Sequence, residues 1–130
     1  MGDECIEEIE KVKFFLKKLH YFINDSNCQI DLQRKRREED PLDPNNTNNT
    51  IIDLDYDSEK IREELSTLKI SDYIKTVKDR VRPSTPNYWI FTKNIKNKDI
   101  YIKLKICNVN KIHLMSFHYA TKQIEDKPYK

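Results

Sequence analysis

Residues 99–120 read DIYIKLKICNVNKIHLMSFHYA, and their side chains raise the first chemical question. Ile100, Ile102, Leu104 and Ile106 alternate with Tyr101, Lys103 and Lys105. A period of two puts the aliphatics on one face of a strand and the phenol and two ammonium groups on the other. The next segment ends on Ser116-Phe117-His118. Lysines beside an imidazole that exchanges protons near neutral pH make a surface suited to a polyanion. The plainer reading is a solvated sheet face.

Several other chemistries lack their residues. Gly2 is the only glycine, so there is no Gly-rich phosphate loop and no dinucleotide fingerprint. Cys5, Cys28 and Cys107 are an odd number without a spacing motif, which fits free thiols in a reducing cytosol. His113 and Cys107 make no close-spaced ligand pair, and on a regular strand His113 and His118 face opposite sides. No metal site and no cofactor is therefore expected. No apolar run reaches membrane-spanning length, and the acidic opening MGDECIEEIE lacks an apolar signal core. A cytoplasmic protein with no membrane association is the expectation.

The net charge of +2 conceals a division along the chain. Residues 1–68 hold 10 Lys and Arg against 17 Asp and Glu, whereas residues 69–130 hold 14 against 5. The basic half either meets something anionic or is attracted to the acidic half.

The elements that must position these groups follow from periodicity. Asp3 to Ile23 reads as an amphipathic helix, with Ile6, Ile9, Val12, Leu16, Leu19 and Ile23 at three- and four-residue steps. Cys28–Gln33 suggests a short strand. The segment 34–50, with Pro41, Pro44 and an asparagine run, reads as a mobile loop, and Ile51, Ile52 and Leu54 as a short extended piece. Asp57 caps a helix from Ser58 to about Leu68, and Ser71 opens a short helix through about Lys78. A proline-containing loop, Arg80–Asn87, leads to three strands, Tyr88–Ile95, Asp99–Asn108 and Lys111–Ala120, joined at hairpin length. The sum is a single α+β domain: an antiparallel sheet, built from this C-terminal meander and a short N-terminal strand, with helices on one face.

Four pieces in this order carry a resemblance: LKISDYIKT (68–76), YWIF (88–91), DIYIKLKI (99–106) and IHLMSFHYA (112–120). Together they resemble the MqsR-type mRNA interferase toxins of bacterial type II toxin–antitoxin systems, which have a RelE-like fold. The resemblance covers residues 58–120 best. It implies a small cytoplasmic endoribonuclease that cuts mRNA without a metal and is silenced by a cognate antitoxin. The family's short-helix lysine falls on Lys75 and its strand tyrosine on Tyr101. The position after Ser-Phe, a lysine in the family, is His118 here. The family's glutamine after the strand tryptophan is Ile90, so the role of that glutamine has no counterpart.

Metal-free RNA cleavage needs a base for the 2′-OH, an acid for the leaving 5′-oxygen and cations for the phosphorane. His118, Tyr101 and Lys75 are the candidate catalytic residues. Lys103, Lys105, Arg80 and Arg82 are the candidate RNA contacts. Each has a plainer alternative: a half-exposed aromatic for Tyr101, a solvated face for Lys103 and Lys105, a hydrogen-bonded strand-end residue for His118, an exposed helix position for Lys75. Trp89 reads as core, and the run Arg34-Lys35-Arg36-Arg37 before Glu38-Glu39-Asp40 as solvated loop. A non-catalytic RNA- or partner-binding module on the same fold is the alternative function.

Overall fold

The computed structural model describes residues 3–34, 39–108, 110–121 and 126–130. The elements run β1 (Glu4–Cys5), α1 (Ile9–Ile23), β2 (Gln29–Leu32), α2 (Thr47–Leu54), α3 (Ser58–Ser66), a 3-10 turn (Ile70–Asp72), β3 (Tyr73–Val77), β4 (Tyr88–Ile95), β5 (Lys98–Asn108) and β6 (Lys111–Tyr119). The strands form one six-stranded sheet in the order β1-β3-β4-β5-β6-β2.

One face of the sheet holds the core. Phe91, Ile95, Ile100, Ile102, Leu104, Ile112, Leu114 and Phe117 project from it onto Val12, Phe15, Leu16 and Leu19 of α1, Ile51 and Leu54 of α2, and Ile61 and Leu65 of α3. These helix positions recur at three- and four-residue steps, giving each helix one apolar stripe. Trp89 stacks on Phe15 with ring centroids 4.2 Å apart, so it belongs to this layer as expected.

Polar caps set the helix limits. The Asn46 side chain accepts the Asn49 N–H, and the Asp57 side chain accepts that of Lys60. Asp55, at φ 57°, ends α2 in the left-handed conformation. The β4–β5 hairpin turns on Lys96 and Asn97, with φ of 53° and 67°. Two successive left-handed residues suit a two-residue hairpin, and asparagine is the best non-glycine choice for one of them.

The α+β class and the meander match the sequence reading; four details do not. The sheet is mixed, because β2 runs parallel to β6 with Ile30 opposite Ile112 and Leu32 opposite Leu114. The Arg62 guanidinium, 2.8 Å from both the Ile23 and Cys28 carbonyls, pins the α1–β2 connection against α3. The first helix starts at Ile9, and Glu4–Cys5 instead pair with Val77 and Thr76 of β3. Part of the expected loop is ordered by side-chain bonds: Asn49 donates to the Pro41 and Asp43 carbonyls, and α2 takes up Ile51, Ile52 and Leu54 in place of an extended piece. Residues 35–38 lie outside the described residues. Finally, the short helix expected from Ser71 is one 3-10 turn, after which Tyr73–Val77 form β3. Ile74, Thr76 and Val77 are β-branched and suit the pleated sheet better than a helix.

A bulge in β6 settles its register. Lys103 pairs with Ser116, but Leu104 pairs with Leu114, leaving Met115 as an extra residue. Ile112 and Leu114 therefore join the core below the bulge and Phe117 joins it above. His113 and His118 consequently share the opposite face, where strict alternation would have separated them. Among the described residues, no helix is long and apolar enough to cross a membrane.

Candidate active site on the helix-free sheet face

The face away from the helices carries nearly all the candidate residues. Strand register sets them in two rows. Lys75, Ile90, Lys103 and Ser116 follow one another across β3, β4, β5 and β6, and Thr92, Tyr101 and His118 form the next row. Adjacent rows on one strand lie roughly 7 Å apart, two residues of rise.

A groove of about 350 Å3 opens on this face, with Lys75, Ile90, Tyr101, Lys103 and Met115 in its lining and Arg80 on its loop side. His118 stacks on Tyr101, ring centroids 5.2 Å apart and planes within 18°. Its Nδ1 lies 2.9 Å from the Tyr119 carbonyl. A carbonyl only accepts, so Nδ1 carries the proton and Nε2 is the basic nitrogen of the neutral ring. Tyr119 itself points to the helix layer, where its hydroxyl donates to Asp53. Burial and then that carboxylate push the Tyr119 phenol up to about 12; of the tyrosines on this strand pair, Tyr101 is the one that lines the groove.

Lys75 reaches the groove from a strand, not from the helix expected for it. Its Nζ is 3.1 Å from Glu4 Oε2. Lys103 lies with its Nζ 5.1 Å from the centroid of the Tyr88 ring. Arg80 is largely exposed and pairs with Asp3 at 2.8 Å. Ile90, at the position where a glutamine was sought, is a buried part of the floor.

Lys105 departs most from expectation. The loop 78–87 folds back over this end of the face, and Lys105 Nζ lies 2.7 Å from Asp79 Oδ2 and 3.0 Å from Thr85 Oγ1. Only 5% of Lys105 and 7% of Asp79 is exposed, so this ammonium is spent on a buried pair and is not displayed for phosphate. Asp79 also accepts the Val81 and Arg82 N–H groups. The Lys105 hydrogen bond, then the backbone donor of Arg82, hold its carboxyl far below the usual carboxylate range. Arg82 is exposed beyond this pair, on a second groove. In the basic run, Arg34 donates to Asn48 Oδ1 at 2.9 Å, and residues 35–37 lie outside the described residues.

The structure thus brings Lys75, Tyr101, Lys103 and Arg80 to one groove, sets His118 against Tyr101, and withdraws Lys105. Sequence reasoning missed Asp79, Glu4, Tyr88 and Met115. Asp79 had no local signal, because its partner lies 26 residues away. Met115 was signalled only by the apolar residues on both sides of its strand. Among the described residues, no three His, Cys, Asp or Glu side chains gather as a metal site. No protein-family model, curated protein or solved structure matches the chain.

Proposed function

We propose that this protein is a metal-independent endoribonuclease acting on single-stranded mRNA, a toxin of the MqsR type with a RelE-like fold, held in check in the cytoplasm by a cognate antitoxin. The observation that carries the reading is the Tyr101–His118 stack, whose Tyr101 lines a groove together with Lys103 and Lys75. A tyrosine, an imidazole with a defined basic nitrogen and two ammonium groups on one sheet face are the parts that 2′-OH transesterification requires.

In this mechanism the 2′-oxygen attacks the adjacent phosphorus and the bond from phosphorus to the 5′-oxygen breaks, leaving a 2′,3′-cyclic phosphate. Tyr101 takes the 2′-OH proton as its phenolate, which becomes the phenol. His118, protonated at Nε2, gives a proton to the leaving 5′-oxygen. Lys103 and Lys75 offset the charge that builds on the phosphorane, and Arg80 holds a neighbouring phosphate.

One observation favours a second reading, an RNA- or partner-binding module without catalysis: the family's glutamine position is an apolar floor residue, Ile90. Incubating the purified chain with a long single-stranded RNA in EDTA separates the two. The nuclease reading expects fragments ending in cyclic phosphate. Intact RNA retained by the protein would favour the binding module and end the nuclease assignment.

A further inference from the structure

A second groove adjoins the first on the same sheet face. Its volume is about 550 Å3, and Asp79, Val81, Tyr88 and Met115 border both. On its β2–β6 side, His113 Nδ1 lies 2.9 Å from Asp31 Oδ2. A carboxylate accepts, so Nδ1–H is the donor and Nε2 is the basic nitrogen of the neutral ring. The bulge at Met115 is what turns His113 to this side.

The charges around the groove do not cancel. Asp79 and Lys105 neutralise each other in their buried pair, and Asp31, which keeps its charge beside the neutral His113 ring, is one carboxylate against two cations. Arg82 and Lys111 remain as exposed cations on the lining. The groove is therefore cationic, has a hydrogen-bonding imidazole held in one orientation, and is continuous with the candidate active site. His113 and His118 are five positions apart on β6 with one bulged residue between them. That separates them by roughly 13 Å at a strand's rise per residue, more than one nucleotide.

We infer that this second groove is a subsite for the nucleotides flanking the cleaved phosphodiester, with Arg82 and Lys111 on phosphates and the Asp31-held His113 bonding a base edge. This rests on the RNA reading above, and it lengthens the footprint from one linkage to several nucleotides.

The probe is 2′-O-methyl RNA, which lacks the nucleophile and is not cut, as a tetranucleotide and a decanucleotide. The double variant Arg82→Gln/Lys111→Gln changes two exposed residues outside the catalytic set. For the decanucleotide it is expected to lower affinity at least about tenfold and to flatten the dependence of log K on log salt by about 1.4, the value for two phosphate contacts on a single strand. The tetranucleotide should lose much less. His113→Gln should cost the decanucleotide about fivefold, the loss of one hydrogen bond. Equal affinity and salt slope in wild type and double variant, with RNA still cleaved by both, would overturn the subsite and leave the nuclease reading standing. The expected slopes in a protein that cuts no RNA would uphold the groove as an RNA-binding surface but overturn its place beside a cleaved linkage, and with it the nuclease reading. Failure of the wild type to bind either probe, or tighter binding of an oligoglutamate of equal charge, would overturn both.

Discussion

At the residue scale the deciding side chain is His118. Its Nδ1 is tied to a backbone carbonyl and its ring lies on Tyr101, so Nε2 is the basic nitrogen of the neutral ring. His118→Gln is expected to keep the fold and RNA affinity while lowering cleavage by roughly 10² to 10⁴, the usual effect of losing one acid or base. His118→Lys should restore part of the rate and carry activity to higher pH, because a lysine keeps its proton longer. Full cleavage by folded His118→Gln would remove the imidazole from the mechanism. The Asp79–Lys105 pair acts on stability instead. A carboxyl whose folded pKa is depressed contributes stability that is fully present above its unfolded pKa of about 3.9 and is lost as pH falls toward the folded value. Urea unfolding from pH 7 to pH 2 should show that loss in the wild type. Asp79→Asn should remove this share of the acid sensitivity and, at neutral pH, cost about 3–5 kcal/mol by leaving Lys105 buried without its counter-charge. Adding Lys105→Met to that variant should recover most of the loss.

At the element scale the informative feature is the Met115 bulge. Deleting a bulge residue closes the ladder without turning a side chain over: Leu114 still opposes Leu104 and Ser116 still opposes Lys103. A chain lacking Met115 should therefore fold cooperatively, with His113 and His118 still on the helix-free face. Deleting Thr92, in the unbulged run of β4, should reverse half a strand and abolish the thermal transition. Circular dichroism melts of the two deletions check both outcomes. The same strands mark what was legible in the sequence. β5 could be read from strict alternation, and Tyr101 and Lys103 with it, whereas β4 was read from an aromatic and aliphatic run between a proline-containing loop and a hairpin turn. β6 carries apolar residues on both faces of a regular repeat, so its register waited on the bulge. β3 was read as a helix because Ser71 resembles a cap and five residues are too few to show a period. α2 was hidden by an asparagine-rich sequence of low helix propensity, whose caps become visible only when Asn46 and Asn49 close on their partners. Lys105 looked like its neighbour Lys103, because nothing local announces that a loop will fold over one and not the other.

At the scale of the whole molecule, part of the charge division along the chain is neutralised internally. Glu4 pairs with Lys75, Asp3 with Arg80 and Glu64 with Lys93, each joining the acidic half to the basic half. The first two pairs lie on the candidate groove, where Asp3 and Glu4 also form part of the lining. Two carboxylates there oppose a phosphate. They are partly exposed, so their ion pairs add roughly 0–1 kcal/mol each to stability. Asp3→Asn/Glu4→Gln should therefore raise RNA affinity several-fold with little change in melting temperature, as read by fluorescence anisotropy at fixed salt. Unchanged affinity would place the RNA path away from Lys75 and Arg80.

The parallel partner of β6 also governs when parts of the molecule come into being. Asp31 and His113 are separated by 82 positions, whereas β4, β5 and β6 are joined by hairpin turns. Closing the long loop costs more chain entropy than closing a hairpin, so the meander should assemble early and β2 should dock late. As a four-residue strand at the sheet edge, β2 should also be among the first elements to open in the native state. Native-state hydrogen exchange should then find the amides of β5 protected nearly to the global limit, and those of β2 released by a smaller opening. Each such opening would dismantle the His113 groove and leave the Tyr101–His118 stack assembled. The length of RNA the protein holds would thus vary with the docking of a single edge strand, on a timescale separate from that of the bond it cuts.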